Sequence, residues 1–208
     1  LSLRRDLSPL PDRIDVWWLP LAEFADDSES ALRQILARYV DAPAASLSFR
    51  LGVHGKPELL SPDKLSFNLS HSGDYAICLV ADGAPVGADL ERMAPIKDAL
   101  TVAEQLFSQD EYFALRDLAP DESLALFYRL WVQREAVVKA AGLGFAVPPE
   151  SISLSTQAST GQWVTLKGQG DWWVAPIPAP PGYAAAGCAS GPFSTIVRRP
   201  PDFRREDR

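Results

Sequence analysis

Apolar residues recur at helical spacing between Leu124 and Gly142, where Leu124, Phe127, Leu130, Trp131 and Val138 form one stripe, the recurrence of a helix with one face in a core. Beside it Trp131, Glu135 and Lys139 stand four residues apart, so an acid and a base share a ridge bordering that core. Gly142 and Gly144 stop the run. A helix-surface ion pair accounts for the Glu135/Lys139 spacing without any further role.

The rest of the chain alternates between the two periodicities. Ile14 to Leu19 has the β-branched and aromatic content of a strand, and Leu32, Ile35, Leu36, Tyr39 and Val40 predict a helix over 27–40 that Pro43 ends. Residues 47–51 predict a short strand before the turn Gly52-Val53-His54-Gly55-Lys56-Pro57. Residues 65–69, 75–80 and 86–90, separated by Ser72-Gly73-Asp74 and Asp82-Gly83, predict a three-stranded β-meander. Helical patterns over 98–118 and 122–141 follow, then strand-like runs at 151–155, 162–167, 171–177 and 183–189. The segment Gly73 to Ala81 echoes Pro181 to Ala189, each with Tyr-Ala leading an apolar run to a Cys, which suggests two duplicated α+β halves with a cleft between them.

Composition narrows the function classes. The chain has 208 residues, 47% hydrophobic and 23% charged, enough for a substantial core. A formal charge of −7 argues against general nucleic-acid binding, so an anionic ligand must find a local basic pocket. Cys78 and Cys188 each lie in an apolar run and read as buried thiols of a reducing compartment more than as a disulfide, which stays the alternative. No apolar run reaches membrane-spanning length and no secretory signal pattern opens the chain, which predicts a cytoplasmic protein without a membrane partner. Leu1 stands where an initiator Met is expected, implying a start that lies upstream or has been removed.

Two stretches carry candidate chemistry. In Gly87-Ala88-Asp89-Leu90-Glu91 an extended backbone turns both acids to one side, about 6–7 Å apart, and Leu90 to the other. Carboxylates so spaced suit Mg²⁺, a hard cation that takes few protein ligands and leaves the rest to water and phosphate. A solvated strand face explains the two acids equally well. Phe67-Asn68-Leu69-Ser70-His71-Ser72 gathers an amide, hydroxyls and an imidazole able to donate to phosphate oxygens. Two histidines and two distant cysteines give no zinc spacing, and there is no GxSxG elbow, P-loop or GxGxxG fingerprint.

Taken together, Gly55-Lys56-Pro57, Phe67 to Ser72, Gly87 to Glu91, Phe107-Ser108-Gln109-Asp110-Glu111 and Trp131 to Lys139 occur in the order and spacing of the Sfp-type 4′-phosphopantetheinyl transferases, a resemblance covering roughly residues 14–190. The resemblance implies an enzyme that moves the phosphopantetheine arm of coenzyme A onto a serine of an acyl or peptidyl carrier protein and releases adenosine 3′,5′-bisphosphate. It implies that Asp89, Glu91 and Glu135 hold Mg²⁺, that Glu135 is the base, and that Lys139 steadies the pyrophosphate. It further implies that Lys56, Ser70 and His71 contact the phosphates of coenzyme A and that Glu111 lies near the metal site. Two departures stand out: Arg134 replaces the usual Lys before the helix acid, and Leu21 to Ser30 is acidic where relatives are Arg/Lys-rich. The second implies weak discrimination between coenzyme A and its 3′-dephospho form.

The expected architecture is an α+β chain of two similar subdomains, residues 14–92 and 93–196, with the active site in the cleft between them. A flexible segment at 1–13 and a disordered basic tail at 197–208 flank them, and the duplication implies a monomer. The competing reading is a noncatalytic carrier-protein-binding relative of the same fold.

Overall fold

A computed structural model describes residues 13–24, 28–40, 42–60, 64–144, 147–148 and 151–198. The strands among the described residues are β1 (Arg13–Pro20), β2 (Phe49–Leu51), β3 (Pro57–Leu59), β4 (Leu65–Ser72), β5 (Tyr75–Asp82), β6 (Val86–Arg92), β7 (Gln162–Leu166), β8 (Gly170–Pro176), β9 (Tyr183–Ala189) and β10 (Ser194–Arg198). The helices are α1 (Ser28–Ala37), α2 (Ala99–Leu106), α3 (Gln109–Arg116) and α4 (Pro120–Ala141). No helix among the described residues is long and apolar enough to cross a membrane.

Two four-stranded sheets, ordered β10-β1-β5-β4 and β6-β9-β8-β7, carry the fold, and β2 and β3 form a separate hairpin. The duplication is visible in the topology: β1-β5-β4 with α1 has its counterpart in β6-β9-β8 with α4. The echoed Tyr75 and Tyr183 open the corresponding strands β5 and β9, and their rings meet edge to face with centroids 5.2 Å apart. Cys78 and Cys188 are free, buried thiols in the cores of the two different halves.

Helices α1 and α4 each cover one sheet. Leu32, Ile35 and Leu36 of α1 pack with Trp17, Phe67 and Val80, while Leu130, Val137 and Ala140 of α4 pack with Val164, Val174 and Ala186. A third apolar cluster unites the sheets, with Ile14, Ile77 and Leu79 from the first and Val86, Leu90 and Ala185 from the second. Pro120 occupies the first turn of α4 with Asp121 and Glu122 beside it, and Gly142 at φ 66° ends the helix, the arrangement favoured by orphan N–H groups at the start and a left-handed residue at the end.

The expected β-meander does not form. β5 is already hydrogen-bonded to β1 on one side and β4 on the other, so no ladder edge is left for β6. β6 therefore pairs with β9 in the second sheet, and the break between sheets falls at residues 83–85, ahead of the expected boundary at 92. At the other end β10 runs parallel to β1, which brings Arg13 of the expected flexible segment 1–13, and Val197 and Arg198 of the expected tail 197–208, into the first sheet; the rest of both, 1–12 and 199–208, lies outside the described residues. The run 151–155 is not a strand, because its backbone bonds to side chains: Leu154 N–H to Glu111, Ser155 N–H to Gln162, and Ile152 C=O to Arg134.

Candidate active site

The site is assembled where α4 lies directly on β6. A Cβ on Gly87 would fall 2.0 Å from Ala136 O and 2.3 Å from Ala140 N, so only a residue without a side chain admits the helix backbone. One pleat further, Asp89 is 3% exposed and Leu90 fills the core between the sheets. Strand alternation keeps Glu91 on the face of Asp89, and Ser72 Oγ donates to Glu91 Oε2 at 2.9 Å.

Lys139 does not pair with Glu135. Its Nζ donates to Asp89 Oδ1 at 2.5 Å and to Ser70 Oγ at 3.1 Å, and Ser70 Oγ is itself 3.1 Å from Asp89 Oδ1. Among the described residues Glu135 makes no hydrogen bond or ion pair. Burial pushes the Asp89 carboxyl up to about 6; Lys139 pulls it down, while Glu91 and Glu135 push it further up. Glu135 is raised as well, first by burial, against the pull of Lys139 and with a smaller push from Glu91.

These acids fit a hard cation electrostatically. Asp89 Oδ2 is buried without a hydrogen-bond partner, Glu91 and Glu135 destabilise the charge of Asp89, and Glu91 that of Glu135; an oxygen-ligated divalent ion relieves both conditions. As they stand, no three acid, His or Cys side chains among the described residues converge on a metal position, and the cation beside Asp89 is the Lys139 ammonium.

Lys56 reaches in from the β2–β3 hairpin, and its Nζ donates to the carbonyls of Val86 at 2.7 Å and Lys139 at 2.8 Å. Burial lowers its pKa to about 8. A cleft of about 360 Å³ runs beside it, lined by His54, Lys56, Asn68, Glu135, Lys139 and Val147 among others. His71 is exposed and alternation turns it to the face of β4 opposite Ser70; no hydrogen bond among the described residues brings it into the cluster.

Glu111 is spent elsewhere. It is 1% exposed, caps α3 by accepting from Ser108 N–H, accepts from Leu154 N–H, and forms a buried ion pair with Arg134. Arg134 also donates to Ile152 O and stacks on Phe107, so the Arg at that position serves the core of the second half. In the acidic N-terminal region, Glu29 accepts from Arg33, which also donates to Leu47 O, and Arg50 pairs with Glu58. Asp26 and Asp27 lie outside the described residues.

The motif marks Asn68, Ser70 and Ser72 as donors to phosphate oxygens and does not show that Asn68 and Ser72 hold β6. The available signal was period-two alternation, which places all three on one face of β4.

Comparison with known proteins identifies the family. The family model of the 4′-phosphopantetheinyl transferase superfamily matches residues 85–186, the span from β6 to β9 that contains Asp89, Glu91, Glu135 and Lys139. The chain is 30% identical over 162 residues to the 4′-phosphopantetheinyl transferase Sfp of Bacillus subtilis (strain 168), covering 77% of this chain and 71% of that one. It is 35% identical over 123 residues to another 4′-phosphopantetheinyl transferase of Bacillus subtilis, covering 59% and 54%. It is also 36% identical over 118 residues to 4′-phosphopantetheinyl transferase HetI of Nostoc sp., covering 55% and 50%. The chain thus spans about half the length of two of these curated relatives. With β6 and α4 joined at Gly87 and most of Sfp's length matched, the chain belongs to the Sfp-type 4′-phosphopantetheinyl transferases.

Proposed function

We propose that the chain transfers the 4′-phosphopantetheine arm of coenzyme A to a serine of an acyl or peptidyl carrier protein, in a Mg²⁺-dependent reaction that releases adenosine 3′,5′-bisphosphate. The observation that carries the reading is the junction of Lys139, Asp89 and Ser70, which unites a helix and two strands from both halves beside Glu135, unpartnered among the described residues. Asp89, Glu91 and Glu135 would hold the metal, whose charge offsets that of the pyrophosphate.

The chain's own residues supply positioning and proton transfer. Glu135, a carboxylate with a raised pKa and no competing partner among the described residues, accepts the serine proton as the hydroxyl oxygen bonds to the phosphorus bearing the pantetheine arm. The bond from that phosphorus to the bridging oxygen breaks, and the electron pair leaves with adenosine 3′,5′-bisphosphate. Lys139 Nζ, partly exposed beside Asp89, stabilises the developing charge. Ser70 and Lys56 line the approach of the phosphates, and His71 meets them only at the exposed rim. With Arg33 and Arg50 paired to acids, preference for coenzyme A over its 3′-dephospho form is weak. The protein acts as a cytoplasmic monomer.

The test is to incubate the chain with coenzyme A, Mg²⁺ and a panel of apo carrier proteins and to weigh the carriers. A mass gain of one phosphopantetheine arm is expected, abolished by chelator and lowered about a hundredfold or more in rate by Glu135→Gln. A Glu135→Gln protein that melts normally and transfers at the unmutated rate removes Glu135 from the mechanism.

A further inference from the structure

The two sheets meet along edge strands that share no backbone ladder. β4 ends one sheet and β6 ends the other, yet their residues advance together, Asn68 beside Ala88 and Ser72 beside Arg92. Side chains of β4 make the connection. Asn68 Oδ1 accepts the N–H of Ala88 at 2.7 Å, and Ser72 Oγ accepts the N–H of Arg92 at 3.0 Å. Ser72 Oγ also donates to Glu91 Oε2 at 2.9 Å. These contacts grip the backbone of β6 just before Asp89 and just after Glu91. Asn68 is 7% exposed, so an amide N–H deprived of its Oδ1 there would be left without a protein acceptor.

We propose that Asn68 and Ser72 are positioning residues, two side-chain clips that bracket Asp89 and Glu91 and fix how closely β6 approaches β4, and thereby how the acids face Glu135 and Lys139. Neither residue needs to touch substrate for this role. Ser72 acts through Glu91, whose carboxylate it orients, and Asn68 acts through the backbone of Ala88. The functional consequence rests on the transferase reading above; the clips themselves do not. Carboxylates that must converge on a cation beside a phosphate tolerate little displacement, since reacting groups misplaced by about 1 Å can cost a hundredfold in rate.

The experiment has two arms. Amide hydrogen exchange on the full chain reads the clips directly: Ala88 N–H loses protection in Asn68→Ala, Arg92 N–H loses it in Ser72→Ala, and Ser72→Thr, which keeps the hydroxyl, retains it. Carrier-loading kinetics read the consequence: Ser72→Ala lowers kcat about tenfold or more with KM for coenzyme A moved less than threefold, Ser72→Thr recovers most of it, and Ser72→Ala adds little to Glu91→Gln because both act through one carboxylate. Unchanged exchange at both amides overturns the clips. Lost protection with unchanged kcat overturns the positioning role, as does a rise in KM alone, which would make these side chains coenzyme contacts. If the unmutated chain loads no carrier, the transferase reading fails and the positioning role with it, while exchange still decides whether the clips exist.

Discussion

Lys139 reaches across from α4 to Asp89 on β6, Nζ to Oδ1 at 2.5 Å, and bypasses Glu135 one turn earlier on its own helix. The base is thereby spent on the more buried acid, where a cation is worth most, and Glu135 is left without a partner among the described residues. Lys139→Met should drive the Asp89 carboxyl above its value of about 6, because the largest opposing influence on its burial is that ammonium. Carboxyl titration by NMR in the metal-free protein checks the shift. Turnover at pH 7 should fall about a hundredfold or more, with Lys139→Arg recovering little, since a planar guanidinium does not replace a compact ammonium.

Gly87→Ala tests the seat of the helix. The new Cβ would meet backbone atoms of Ala136 and Ala140 rather than a side chain that can turn away, so α4 must lift or β6 must shift. The expected cost is about 1–3 kcal/mol or more in denaturant unfolding, with a loss of activity beyond what the unfolded fraction explains, because the same displacement separates Lys139 from Asp89. An Ala variant as stable and active as the unmutated chain contradicts the close approach.

Lys56 sets an alkaline limit. Burial lowers its pKa from the ordinary 10.5 to about 8, so between about pH 8 and 10.5 the unfolded chain binds more protons at this site than the folded one. Stability contributed by Lys56 therefore rises with pH through that window, while its charge in the cleft is present below pH 8 and lost above it. If that charge attracts the coenzyme phosphates, kcat/KM for coenzyme A falls above pH 8, and the limb at that pH disappears in Lys56→Met. A profile identical in the variant assigns the limb to another group.

The Glu111–Arg134 pair is a prediction about stability alone. Both side chains are 1% exposed, and removing either partner leaves a buried charge uncompensated, which costs about 3–5 kcal/mol. Glu111→Gln and Arg134→Met should each lower the unfolding midpoint accordingly, while turnover per folded molecule stays near that of the unmutated chain. Arg134→Lys should also destabilise, because one ammonium cannot reproduce the fork that serves Glu111 and the carbonyls of Ile152 and Leu130. A fall in turnover without a fall in stability would return Glu111 to the acid cluster.

Local chemistry in the sequence determined the elements: Pro120 and Gly142 bound α4, alternation put Asp89 and Glu91 opposite Leu90, and the Tyr75/Tyr183 echo marked the duplication. These features depend on backbone preferences and on spacing within one segment, which a sequence displays. The partners of those residues were decided only by tertiary structure. β6 leaves the predicted meander because β5 has both edges taken, a competition between strands far apart in the chain. Lys139 prefers Asp89, fifty residues away, over Glu135 four residues away, because burial sharpens the attraction at the first and solvent weakens it at the second. Glu111 turns inward for the same reason, drawn to Arg134 in a core whose existence depends on where α3, α4 and residues 152–154 come to rest.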